Sequence, residues 1–99
     1  MIRHVVAWKL AATEPEQKAA DAATITGLLS SLVGVVPSIS SLAAGPNVAY
    51  FDSNWDVVLV ADFESLEGLD AYQTHPEHLA VVPQIKALAA GRAAVDFEV

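Results

Sequence analysis

No cysteine occurs anywhere in the 99 residues. That absence excludes disulfides, thiolate nucleophiles and Cys-ligated zinc or iron-sulfur centres, so any chemistry must come from His, Tyr, Asp or Glu. Cationic residues are also scarce: five Lys and Arg stand against twelve Asp and Glu, for a formal net charge of -7. They form no cluster, and a surface of this sign repels a phosphate backbone, so no nucleic-acid partner is expected. Long apolar runs are missing too. The densest, Leu32 to Val36, ends at Pro37 and falls well short of the roughly 20 residues that cross a bilayer. No membrane partner is expected. Met1 to Leu10 interposes Arg3, His4 and Lys9 among apolar side chains and so lacks the apolar core of a secretion signal, which makes a cytoplasmic location the expectation.

What remains is apolar and alanine-rich. Hydrophobic residues make up 54% of the chain and charged residues only 17%, in a length that holds one core and no second. A single domain over residues 1–99 is expected, with apolar surface left over for a partner.

The patterning predicts alternating element types. Ile2 to Leu10 alternates His4, Val6, Trp8 and Leu10 with Arg3, Val5, Ala7 and Lys9, the period of a strand. Thr13-Glu14-Pro15-Glu16 reads as a capping box. The spacing of Ala22, Ile25, Leu28, Leu29 and Leu32 then predicts an amphipathic helix ending near Gly34. Ile39 to Ala44 is a weaker strand candidate with room to extend to Tyr50, and Asp52-Ser53-Asn54 supplies turn chemistry for a hairpin. Trp55 to Phe63 carries the unbroken run Val57 to Ala61, expected of a central strand covered on both faces. Ser65 caps a short helix bearing Leu66, Leu69 and Tyr72, and Thr74-His75-Pro76-Glu77 reads as a second capping box that restarts the chain. Pro83 limits the regularity of that second segment, and Gly91 is expected to stop it. Ala93 to Val99 alternates again as a closing strand.

The resulting order, β-α-β-β-α-β with the second helix broken in two, is the ferredoxin-like α+β arrangement: a four-stranded antiparallel sheet with helices on one face. Three of the four strands carry apolar side chains on both faces. Something must therefore shield the uncovered face, and a second copy packed sheet to sheet about a two-fold axis is the simplest solution.

Several strings, in this order, resemble the Dabb family of stress-responsive dimeric alpha/beta-barrel proteins over nearly the whole chain. They are Met1-Ile2-Arg3-His4-Val5-Val6-Ala7-Trp8-Lys9-Leu10, Pro37 followed by Gly45-Pro46-Asn47, Asp56 to Ser65, Tyr72-Gln73-Thr74-His75-Pro76-Glu77-His78, and Val95-Asp96-Phe97-Glu98. The resemblance implies a homodimer whose two sheets close into a barrel. It implies no single activity, because the family spans stress proteins of unsettled biochemistry and a polyketide cyclase.

By the same resemblance, His78 corresponds to the cyclase's general base and Tyr72 to its hydroxyl partner in an aldol ring closure. The chemistry is sound: neutral imidazole can take a proton from a carbon flanked by carbonyls, and a phenol can hold the enolate oxygen. Structural readings stand beside the functional ones. His75 is as readily a cap or brace at the helix break, and Tyr72 a filler of the core. His4 and His75 are the remaining substrate-binding candidates, as groups lining a pocket. A His-ligated metal is rejected, because Pro76 spoils the alignment of His75 and His78. No cofactor is expected, apart from Mg²⁺ held in some family members by backbone carbonyls at positions matching Val33, Val36 and Ile39. Trp8, Leu59, Phe63 and Leu88 are assigned to the core rather than a ligand wall. Ala87, Ala89 and Ala90 are expected to enlarge any space beside them, and Asp21, Glu67, Asp70 and Glu98 to form solvated surface.

Three functions follow. The first is a homodimer that binds a small apolar or carbonyl-rich molecule, with cyclase-like chemistry at His78 and Tyr72. The second is a non-catalytic stress-response or structural dimer, and the third a cofactor-free monooxygenase or haem-degrading enzyme.

Overall fold

Backbone pairing in the computed structural model, which describes residues 1–99, gives the expected order with the helix break intact. The elements are β1 (Ile2–Leu10), α1 (Pro15–Ser30), β2 (Ser41–Pro46), β3 (Val57–Phe63), α2 (Leu66–Thr74), α3 (Pro76–Leu88) and β4 (Ala89–Glu98). The sheet is antiparallel throughout in the order β2-β3-β1-β4, so the apolar β3 and the alternating β1 occupy the centre. The fold is ferredoxin-like.

Both helix starts that precede a proline lie one residue later than the capping boxes suggest. Glu14, rather than Thr13, is the N-cap of α1, without a side-chain bond, and His75 rather than Thr74 is the N-cap of α3. One cause explains both. The residue before proline is driven out of the helical region, and Glu14 and His75 are extended, with ψ of 131° and 136°. Ser65 caps α2 as expected, accepting from the Gly68 amide. α1 stops at Ser30, short of Gly34, and the chain then tightens through short turns to Gly34 at φ +80°. α3 runs on through Pro83, because this proline and Leu79, whose carbonyl it cannot serve, are both exposed. Gly91 does not end the helix. It lies inside β4 opposite Lys9, and the Trp55 ring packs over it.

Period-2 alternation divides the sheet into two chemically different faces. His4, Val6, Trp8 and Leu10 of β1 and Val57, Leu59, Ala61 and Phe63 of β3 are buried beneath the helices. There they join Ile25, Leu29, Leu32, Leu69, Tyr72 and Ile85 in one core. The opposite face carries Val5, Ala7, Val60 and Ala43, together with Val58, Val95 and Phe97, which are exposed at 40%, 63% and 44%. The unbroken apolar run of β3 is thus covered on one side only within a single chain. On the apolar face Arg3 donates through Nε and Nη2 to the two carboxylate oxygens of Asp62, at 2.9 and 3.0 Å.

Where β1 meets β4 the register slips between Lys9 and Leu10. Asp56 repairs the gap: its carboxylate accepts the Leu10 amide at 2.8 Å and lies 3.6 Å from Lys18 Nζ.

Candidate active site

A cavity of about 270 Å³ opens between the sheet and the second and third helices. Its apolar wall comes from Val6, Trp8, Leu29, Leu59, Val82 and Ile85, and its polar groups are His4, Tyr72, Gln73, His78, Lys86 and Arg92. The cavity exists because α2 and α3 are separate helices. The break at His75 turns the chain so that Tyr72, in the last turn of α2, and His78, in the first turn of α3, face each other with ring centroids 4.4 Å apart.

Tyr72 is fully buried, packed against Phe63 at 5.1 Å and edge-on to His4 at 6.1 Å. Its hydroxyl has no hydrogen-bond partner. Burial pushes the phenol up to about 12, so it stays protonated and can only offer its proton as a hydrogen bond at neutral pH.

His78 is half-buried, and its Nδ1 lies 3.1 Å from the Gln73 carbonyl. A carbonyl only accepts, so Nδ1 carries the proton and Nε2 keeps a free lone pair. Burial holds the imidazole below its ordinary pKa, against a smaller opposing effect of the Gln73 carbonyl; the charges of His4 and Arg92 lower it further. His78 is therefore the neutral base form at physiological pH.

His4, buried on β1, donates from Nδ1 to Asp96 on β4 at 2.5 Å, across a directly paired position. His75 behaves differently: its Nδ1 accepts the Glu77 amide at 3.1 Å, and it is absent from the cavity wall. Three of the four side chains singled out in the sequence thus meet at one cavity, and the fourth braces the helix break.

The remaining residues named from the sequence fall in several places. Trp8 and Leu59 are core and cavity wall at once, while Phe63 and Leu88 only pack. Ala87, Ala89 and Ala90 do not line the cavity. Asp21 is buried rather than solvated and accepts from Gln17 Nε2 at 2.8 Å. Val33, Val36 and Ile39 lie in the turns after α1, where the Val36 carbonyl accepts the Ile39 amide at 3.3 Å and those of Val33 and Ile39 accept no backbone amide.

Sequence reasoning missed Gln73, Lys86, Arg92 and Asp96. A signal existed for Lys86, because His78, Val82, Ile85 and Lys86 follow the i, i+4, i+7, i+8 spacing of one helix face. Arg92 and Asp96 reach their places by standing opposite Trp8 and His4, a register that local sequence does not specify.

The model of the stress responsive A/B barrel domain, Dabb, matches residues 2–99. The chain belongs to the Dabb family. A dimeric ferredoxin-like protein of unknown function from Thermobifida fusca is 30% identical, with a TM-score of 0.83 over 99% of this Dabb chain and 90% of that one. A dimeric protein of unknown function from Bacteroides fragilis is 26% identical, with a TM-score of 0.88 over 99% and 95% of the two chains. A hydroxynitrile lyase from Passiflora edulis shares the fold at 11% identity, with a TM-score of 0.79 over 99% and 92%. No curated protein matches the chain in sequence.

Proposed function

We propose that this Dabb protein binds a small carbonyl-rich molecule in the cavity beside Tyr72 and His78 and promotes aldol ring closure in it. The observation that carries the reading is the buried Tyr72, its hydroxyl without a partner, whose ring lies 4.4 Å from that of a neutral His78 in the wall of a half-open cavity. A purely structural tyrosine normally finds a partner for its hydroxyl; this one is satisfied if a ligand oxygen supplies it. In the proposed step His78 Nε2 takes a proton from a carbon between two carbonyls, and the Tyr72 hydroxyl donates a hydrogen bond to the enolate oxygen. The carbanion then attacks a second carbonyl of the same chain, forming the carbon–carbon bond. The new alkoxide recovers the proton from His78, so the enzyme returns to its starting state.

The non-catalytic stress-module reading calls for a filled interior, and the cavity weighs against it. Haem-degrading or monooxygenase chemistry has no residue-level observation in its favour. The test is turnover of a short linear poly-β-keto acid, followed by absorbance and product mass. Wild-type protein is expected to exceed the spontaneous rate, and His78→Ala and Tyr72→Phe to lose that excess. Unchanged rates in both variants would remove the proposal.

The working unit is proposed to be a homodimer, packed through the apolar face that carries Val58, Val95 and Phe97. Its support is the size of that exposed face and the dimeric description of the bacterial neighbours. Val95→Glu is expected to give monomers in sedimentation, and a variant that stays dimeric refutes the packing. A divalent cation, Mg²⁺, held by the carbonyls of Val33, Val36 and Ile39 is a separate proposal, supported by the two carbonyls without backbone partners at a helix end that favours cations. A rise in Tm with millimolar Mg²⁺ but not with Na⁺ of equal ionic strength is the expected sign. Equal effects of the two salts refute it.

A further inference from the structure

The charges at the cavity are out of proportion to the chain. Acidic residues outnumber basic ones twelve to five, yet no carboxylate lines the cavity, while two of the five cations, Lys86 and Arg92, do. Arg3 and Lys18 are engaged with Asp62 and Asp56; Lys86 and Arg92 take part in no ion pair. Asp96, on the same strand as Arg92, stands outside the wall and is committed to His4. Two free cations at the rim of a mostly apolar space, in an otherwise anionic protein, form a local positive field.

We propose that Arg92 and Lys86 select ligands bearing a carboxylate, so that the molecule handled in the cavity is a small carboxylic acid with its apolar body against Trp8, Leu29 and Leu59. This deepens the reading given above and rests on it. The guanidinium fork matches the planar carboxylate, donating two parallel hydrogen bonds, and remains charged at every working pH. Lys86 adds a point charge from the last turn of α3. Size limits the class further: about 270 Å³ falls at or below the smallest drug-sized pockets, of about 300 Å³, which suits one or two rings and no extended carrier. Arg92 stands directly opposite Trp8 on β4, so the carboxylate end of a bound acid sits at the rim while its carbonyl end reaches Tyr72 and His78. Arg92 and Lys86 are specificity-determining residues in this scheme and take no part in proton transfer.

The test uses two stable probes of nearly equal shape, 2-naphthoate and 2-naphthamide, titrated calorimetrically into the whole protein at low salt. Naphthoate is expected to bind tighter by about tenfold, the smaller end of what a charge-assisted hydrogen bond provides, since both cations are partly solvated. Arg92→Gln should bring the two probes to within about twofold by weakening naphthoate alone, and Lys86→Gln should act in the same direction more weakly. Both side chains are exposed, so the variants are expected to fold. Equal affinities in the wild type, or a preference that survives both substitutions together, would overturn carboxylate selection while leaving the cavity as a binding site. If neither probe binds at millimolar concentration, the binding reading and the selectivity fall together. If naphthamide alone responds to Tyr72→Phe while the probes remain equal, the earlier reading stands and this one does not.

Discussion

Tyr72→Phe separates a hydroxyl kept for structure from one kept for a ligand. The substitution removes a single oxygen from a ring that is 0% exposed, and that oxygen has no partner. A buried polar group in this state costs about 1–3 kcal/mol. Phenylalanine retains the ring and its packing against Phe63 and His78. The space left behind is smaller than a methyl group, so its penalty is expected to stay under about 1 kcal/mol. The ligand-free variant should therefore be as stable as the wild type or more stable, by about 1 kcal/mol. In a domain of this length that corresponds to a Tm rise of roughly 4–8 °C. Calorimetric and denaturant unfolding should be run at several protein concentrations, because the proposed dimerisation would shift Tm by mass action. The same variant should lose ligand affinity or turnover, the combination expected where a site is held at some expense of stability. A loss of more than about 1 kcal/mol in the ligand-free protein would refute the reasoning, because it would mean that the hydroxyl already has a structural partner.

Further expectations can be checked with the same material. Because burial lowers the His78 pKa and raises that of Tyr72 to about 12, kcat/KM should rise with pH on an acid limb centred below the ordinary histidine value of about 6.5. No alkaline limb should appear between pH 7 and 9; one in that range would contradict the assignment of Tyr72 as a neutral donor. The same depression makes the folded state bind fewer protons than the unfolded state below about pH 6.5, so His78 should lower stability as pH falls through that region. His78→Gln should flatten this part of the stability profile, and an unchanged slope would assign the effect elsewhere. His75→Ala removes the α3 cap and should cost about 1 kcal/mol in chemical unfolding while leaving probe affinity in the cavity unchanged. Asp56→Ala leaves the buried Leu10 amide without its acceptor and should cost about 1–3 kcal/mol; a neutral result would show that the register shift closes without it.

Local signals carried much of the fold. The alternation of Ile2–Leu10 sets the buried face of β1, and the apolar run of β3 sets its central place, because period and composition act over a few residues. Helix starts were legible to within one residue, and the error had a single source: Pro15 and Pro76 force the preceding residue to be extended, which makes Glu14 and His75 the caps. Gly91 resembles a stop because it follows an apolar helical stretch, yet it lies inside β4. Its place is set instead by the Trp55 ring, thirty-six positions earlier in the chain, lying against it. The site divided in the same way. Tyr72, His78 and His4 belong to recognisable strings, and so does Asp96, but its role, like that of Arg92, comes only from the β1–β4 register, which includes a slip at Lys9 that no local pattern announces.

β4 links the two halves of the proposal. Its alternate residues Arg92 and Asp96 stand on the face that holds Trp8 and His4, while Val95 and Phe97 stand on the exposed apolar face. As an edge strand it is hydrogen-bonded to β1 alone, and from Arg92 onward its residues are exposed on both sides within one chain. Little in the monomer therefore fixes the strand that carries the cavity's arginine and the carboxylate orienting His4. Burial of Val95 and Phe97 against a second sheet would press β4 onto β1 and hold both polar groups in register. In the proposed dimer, an apolar face that is otherwise an aggregation liability would do two things at once: drive assembly, and order one wall of the site on the other side of the same strand.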